Sequence, residues 1–100
     1  MANKNNNAVV CVIVIELLIP MARSLKDKRK QIKSLKARLK NRFNLSVAET
    51  AALDEWQRAV LGISMISNDR RYLEKQCRGI EQLICECREI EVNKASIEWL

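Results

Sequence analysis

The segment AVVCVIVIELLI, residues 8–19, constrains the fold more than any other part of the chain. It is dominated by Val and Ile and ends at Pro20, so it predicts a β-strand. Alternate positions put Cys11, Ile13, Ile15, Leu17 and Ile19 on one face and Val10, Val12, Val14, Glu16 and Leu18 on the other. A strand apolar on both faces belongs in the middle of a sheet. The rest of the chain therefore has to provide a neighbour on each side of it.

A lysine before this run and a small residue after it imitate a secretory leader, but Glu16 interrupts the apolar core. The run is also too short to cross a bilayer, which takes about 20 apolar residues in a helix. The chain is accordingly expected to be soluble and cytoplasmic, with no membrane partner. At 100 residues it is long enough for one modest core. The polar start MANKNNN has no periodicity and is expected to be a disordered tail over residues 1–7, leaving a single domain over 8–100.

After Pro20 the hydrophobic period changes from two to about 3.6. Leu25, Ile32, Leu35, Leu39 and Phe43 share one face of a helix expected from Leu25 to Arg42, and Ser24 with Asp27 resembles a capping box in which Asp replaces Glu. NLSVAE reads as a short strand with Leu45 and Val47 inward, followed by a loop through TAALDE. Alternation returns from Trp56 to Ser67, with Ala59, Leu61, Ile63 and Met65 on one side. A second helix starts at SND, capped by Ser67 or Asn68, with Leu73, Cys77, Ile80, Ile84 and Cys87 as its apolar stripe. KASIEWL reads as an edge strand. The order βαββαβ predicts an α+β, ferredoxin-like split βαβ fold: a four-stranded antiparallel sheet with both helices on one face.

The first helix carries most of the charge. Residues 23–42 hold ten of the 18 basic residues and one of the 12 acids, a charge of +9 that leaves −3 for the rest of the chain. At about 100° per residue, with Leu35 at zero, the apolar residues span about 0° to 80°; Lys36, Arg29, Lys40, Lys33 and Lys26 follow at about 100°, 120°, 140°, 160° and 180°. Neighbours in this row are three or four residues apart, and such like-charge pairs repel by about 0.2–0.5 kcal/mol each. The second helix, by contrast, alternates Arg70, Glu74 and Arg78 at spacing four, the pattern of an ordinary solvated face.

An ordered row of cations with no compensating acid is the footprint of a polyanion site. Arg23, Lys26, Arg29, Lys33, Lys36 and Lys40 are the expected contacts, with RNA or a ribosomal subunit as partner. The competing reading is a merely solubilising charge run, or one paired with acids of the second helix. RNA binding on the sheet instead would need stacking aromatics on the central strands. The open face offers Val12, Val14, Glu16, Val60 and Ser64, with Trp56 near one end. That apolar face favours a different function, a homodimer or protein-interaction scaffold assembled through the sheet without nucleic acid.

Enzyme chemistry has no candidate residues here, so no catalytic, cofactor or metal site is expected. Histidine is absent, there is no Gly-rich phosphate loop, and no Ser or Cys has a recognisable base. A small acyl-phosphate hydrolase would hold phosphate with Arg23 and helix N-terminal amides, but the Ser24–Asp27 cap competes for those amides. Cys11, Cys77, Cys85 and Cys87 lack an imidazole partner for zinc, and Cys85 and Cys87 on a helix would point about 200° apart. They read as reduced thiols, some of them packed in the core.

The stretches IELLIPMARSLKDKRKQIKSLKARLKNRFNLSVAE and WQRAVLGISMISNDRR closely resemble the YlxP-like family of bacterial proteins, also called domain of unknown function 503. The resemblance spans residues 9–98 and implies a ferredoxin-like fold, no assigned catalytic residues, and, by gene neighbourhood, an RNA or ribosome partner. The matching positions are Ser24, Leu25, Lys26, Lys28, Arg29, Phe43, Asn44, Ser46, Glu49, Trp56, Gln57 and Arg58. The polar ones near the end of the first helix and the adjacent strands become interaction candidates without assigned roles. The Asn-rich start, the TAALDE loop and the C-terminal end depart from the family pattern.

Overall fold

In the computed structural model, which describes residues 7–100, six elements follow one another. They are β1 (Val9–Leu18), α1 (Leu25–Arg42), β2 (Ser46–Ala51), β3 (Arg58–Ser67), α2 (Arg70–Cys85) and β4 (Glu91–Trp99). Apart from Asn7, the tail expected over 1–7 lies outside the described residues. The strands form one antiparallel sheet in the order β2-β3-β1-β4. This is the ferredoxin-like arrangement, with the doubly apolar β1 and the long β3 at its centre.

The two faces of β1 separate as its alternation requires. Cys11, Ile13, Ile15, Leu17 and Ile19 are buried beneath the helices, while Val14 on the other face is 42% exposed. On β3 their cross-strand partners Met65, Ile63, Leu61 and Ala59 are buried in turn. Ile32, Leu35 and Leu39 of α1 and Leu73, Cys77, Ile80, Leu83 and Ile84 of α2 complete this single core. Each fully buried Leu or Ile stabilises by roughly 1.5–3 kcal/mol relative to exposure, so this layer dominates folding.

The helix starts follow from their caps. At α1, Asp27 N donates to Ser24 Oγ at 3.0 Å, and Asp27 Oδ2 accepts from Arg23 N at 2.9 Å, a variant of the capping box in which the acid reaches the amide before the cap rather than that of Ser24 itself. At α2 the cap is Asp69 rather than Ser67 or Asn68. Its Oδ1 accepts from Arg71 N and Tyr72 N, while its own N–H donates to Ser67 Oγ at 3.2 Å. The shorter Ser67 thus supports the capping residue instead of serving as it.

Other boundaries also shift. α2 stops at Cys85, so Cys87 lies beyond the helix, its N–H donating to Ile84 O in a tight turn. β3 begins at Arg58, two residues after Trp56. β4 starts at Glu91, opposite Leu18, earlier than the alternation of KASIEWL implies. Ala95, Ile97 and Trp99 do share the helix-side face, opposite Ile15, Ile13 and Cys11, yet Ile97 remains 41% exposed because β4 is an edge. β2 runs on to Ala51 across a register shift after Glu49, into what reads in the sequence as loop.

Gly79 lets α1 and α2 approach. A Cβ there would sit 3.0 Å from Cε1 and 3.2 Å from Cζ of Phe43, the residue that ends α1. Close packing of the Phe43 ring explains a helix-interior glycine that otherwise costs about 1 kcal/mol relative to Ala.

Candidate functional site

The orientation of α1 on the sheet decides what its cation row faces. Gln31 and Arg38, at about 320° and 300° on the same helical wheel, touch the segment after α2: Gln31 Nε2 donates to Glu89, and Arg38 Nη1 donates to Cys87 Sγ at 3.1 Å. The α2 side of α1 is therefore opposite the row. Arg23, Lys26, Arg29, Lys33 and Lys40 are exposed and Lys36 is half-buried. Among the described residues none of these six forms an ion pair; the pairs present are Lys28–Glu49, Arg58–Glu16 and Arg58–Glu55. Pairing with acids of α2 is thus not what balances the row.

Lys28 behaves quite differently from its basic neighbours. It is 0% exposed, the one charged side chain in the buried set among the described residues. Its Nζ donates to Ala52 O at 2.7 Å and Arg58 O at 3.1 Å, lies 3.4 Å from Leu53 O, and pairs with Glu49 Oε2 at 2.9 Å. Three ammonium protons thereby meet two carbonyls and a carboxylate, which is what a buried cation needs to stay folded in. The same helical wheel contains the signal: Lys28 falls at about 20°, between Leu35 and Leu39, in the middle of the apolar arc.

This clamp orders the segment from Ala52 to Arg58. Ala52 adopts a left-handed φ of 61°, and Glu55 N closes a turn onto Ala52 O at 3.1 Å. Gln57 ties the far end to the β1–α1 connection, its O accepting from Ile19 N at 2.9 Å and its Nε2 donating to Ala22 O at 3.0 Å. Glu49 and Gln57, interaction candidates by resemblance, are therefore engaged in contacts within the protein, although Gln57 stays exposed. Leu53 and Trp56 project outward, 56% and 53% exposed.

On the open sheet face, Glu16 accepts from Arg58 at 3.1 Å and from Asn93 at 2.8 Å. The Arg58 hydrogen bond, then that of Asn93, holds the Glu16 carboxyl below its ordinary range, and the Glu16 bond in turn raises Arg58. Beyond this polar end the face presents Val12, Val14, Ser64 and Ile66, the last 64% exposed. No aromatic of β1 or β3 lies there.

The Ser24–Asp27 cap occupies the amides of Arg23 and Asp27 at the start of α1. Cys11 and Cys77 meet in the core with their sulfurs 4.0 Å apart, whereas Cys85 is exposed and Cys87 half-buried. Among the described residues there is no cluster of three or more His, Cys, Asp or Glu able to hold a metal ion, and no helix is long and apolar enough to cross a membrane.

Comparison with known proteins places this geometry in a family. The uncharacterized protein YlxP of Bacillus subtilis (strain 168) is 37% identical over 84 residues, covering 84% of this chain and 91% of its own. Among solved structures, a C-terminal segment of the alpha subunit of aIF2 from Pyrococcus abyssi superposes with a TM-score of 0.51 at 16% identity. That match covers 90% of this chain and 49% of the other, so this chain spans about half of that segment, and the likeness is one of fold. The de novo designed protein LFR1 1 with ferredoxin fold gives a TM-score of 0.49 at 16% identity, over 92% of this chain and 82% of its own. Residues 10–97 match the family described as Protein of unknown function (DUF503), and the chain belongs to that family.

Proposed function

We propose that the protein is a non-enzymatic, cytoplasmic RNA- or ribosome-associated accessory factor that holds RNA phosphates along α1. One observation carries this reading: Lys26, Arg29, Lys33, Lys36 and Lys40, with Arg23 before them, share the flank of α1 away from α2 and have no ion-pair partner among the described residues. From Lys26 to Lys40 is about 21 Å of helix, long enough to follow several phosphates. Four adjacent like-charge pairs cost about 1–2 kcal/mol at low salt, a cost that bound phosphate removes.

The test is binding to ribosomal RNA and ribosomal subunits over a salt series, for the parent and for a variant with Lys26, Arg29, Lys33 and Lys36 all changed to Glu. Neutralising five phosphates predicts a log–log salt slope of about −3.5 to −4.5, and loss of binding in a still-folded variant. Binding insensitive to salt, or equal in both proteins, overturns the reading.

A second reading is favoured by the open face of the sheet, where Val14 and Ile66 are 42% and 64% exposed beside Val12. It is a homodimer or scaffold closed through that face without nucleic acid. Sedimentation equilibrium at micromolar concentration distinguishes it: a monomer, with an unchanged mass for Val14→Lys, excludes the dimer.

A further inference from the structure

We propose that Trp56 is the base-stacking residue of this interface, set at the Arg23 end of the cation row to take an unpaired RNA base. The proposal rests on the reading that the row holds RNA phosphates. It adds a ligand class to it: RNA with at least one unstacked base, as in a single strand, bulge or overhang, rather than a blunt duplex.

Three observations converge on Trp56. The first is exposure: Trp56 is 53% exposed, and Leu53 in the same loop is 56% exposed. The second is preorganisation, because that loop is held from beneath by the buried Lys28 ammonium through Ala52 O and Arg58 O, and from the side by Gln57. Little ordering remains to be done on binding, the condition under which an exposed aromatic binds effectively. The third is position. Gln57, next to Trp56, donates to Ala22 O at 3.0 Å, and Ala22 immediately precedes Arg23, so the loop that carries Trp56 is tied to the backbone beside the first cation of the row.

The row itself has no aromatic to receive a base. Phe43 ends α1 with its ring against Gly79, Trp99 lies under Arg70, whose guanidinium carbon is 4.3 Å from the ring centroid, and Tyr72, though exposed, belongs to α2, on the side of α1 opposite the row. Stacking therefore falls to Trp56 if any base is held near the row. Asp54, exposed in the same loop, repels phosphate there and favours a pose with backbone on α1 and base on the loop.

The experiment uses the full chain carrying Trp99→Phe, which leaves Trp56 as its one tryptophan. Single-stranded oligoadenylate and a blunt RNA duplex are titrated by anisotropy and tryptophan emission. Oligoadenylate is expected to quench Trp56, and Trp56→Ala to weaken its binding roughly 5- to 150-fold with an unchanged salt slope, while Trp56→Phe retains most of the affinity. The duplex is expected to bind without quenching and to be indifferent to Trp56→Ala. Unchanged oligoadenylate affinity in Trp56→Ala, while the quadruple charge reversal abolishes binding, overturns stacking and leaves the phosphate reading standing. Equal quenching by the blunt duplex overturns the need for an unpaired base. No binding of either RNA by the parent overturns both readings together.

Discussion

Lys28 Nζ lies 2.9 Å from Glu49 Oε2, and that ammonium is the one polar partner of this buried oxygen among the described residues. The pair joins α1 to β2 and, through Ala52 O and Arg58 O, fixes the loop that carries Trp56. Changing Lys28→Met is expected to destabilise the protein by about 3–5 kcal/mol, since it strands Glu49 and frees two carbonyls. Lys28→Met with Glu49→Gln is expected to recover part of that loss in urea unfolding. A single variant as stable as the parent would remove the clamp from the account.

The cation row predicts opposite effects on stability and binding. Lys33→Glu converts repulsions with Arg29, Lys30 and Lys36 into attractions, so it is expected to stabilise the protein by roughly 1–3 kcal/mol at low salt, fading at high salt. The same change is expected to weaken RNA binding. Thermal unfolding at two salt concentrations, beside an anisotropy titration, reads both; a loss of stability at low salt would contradict the repulsion.

Gly79 and Phe43 form a testable couple. Gly79→Ala improves helix propensity by about 1 kcal/mol but drives a methyl against a ring 3.0 Å away, and overpacking of this kind costs about 1–3 kcal/mol. Net destabilisation is expected in the parent and net stabilisation of about 1 kcal/mol in a Phe43→Ala background. Equal effects in the two backgrounds would show that the contact carries no energy.

The core thiol Cys77 gives a pH signature. Burial, reinforced by Cys11, pushes it from 9.0 up to about 12. The folded state keeps this proton where the unfolded chain loses it, so its contribution is complete below about pH 9 and declines as pH rises towards 12. Cys77→Ala is expected to flatten the fall in stability across that window. In the native protein a thiol reagent at neutral pH is expected to label Cys85 and Cys87 quickly and Cys11 and Cys77 only on unfolding.

Local sequence determined the elements and their inward faces. The doubly apolar run of β1, the period of α1 and the Ser24–Asp27 cap each express one dominant local force: burial at period two, burial at period 3.6, or satisfaction of free amides. Boundaries slipped where that force was weak. β4 begins three residues before Lys94 because an exposed edge imposes no alternation on Glu91 and Asn93. β2 passes into TAALDE across the register shift after Glu49, and the clamp beyond it is made by a lysine more than twenty residues earlier.

The charge pattern of α1 and its row of cations outside the apolar arc were present in the chain as text. Which cation is structural and which are free required the packed molecule. Lys28 differs from Lys26 and Arg29 by one residue or two, about 160° and 100° around the helix, yet it alone meets buried oxygens from β2 and β3. Charge and periodicity are properties of a segment. Desolvation depends on what the rest of the chain brings to each face, and that set Lys28 in the core and left Lys26 and Arg29 exposed.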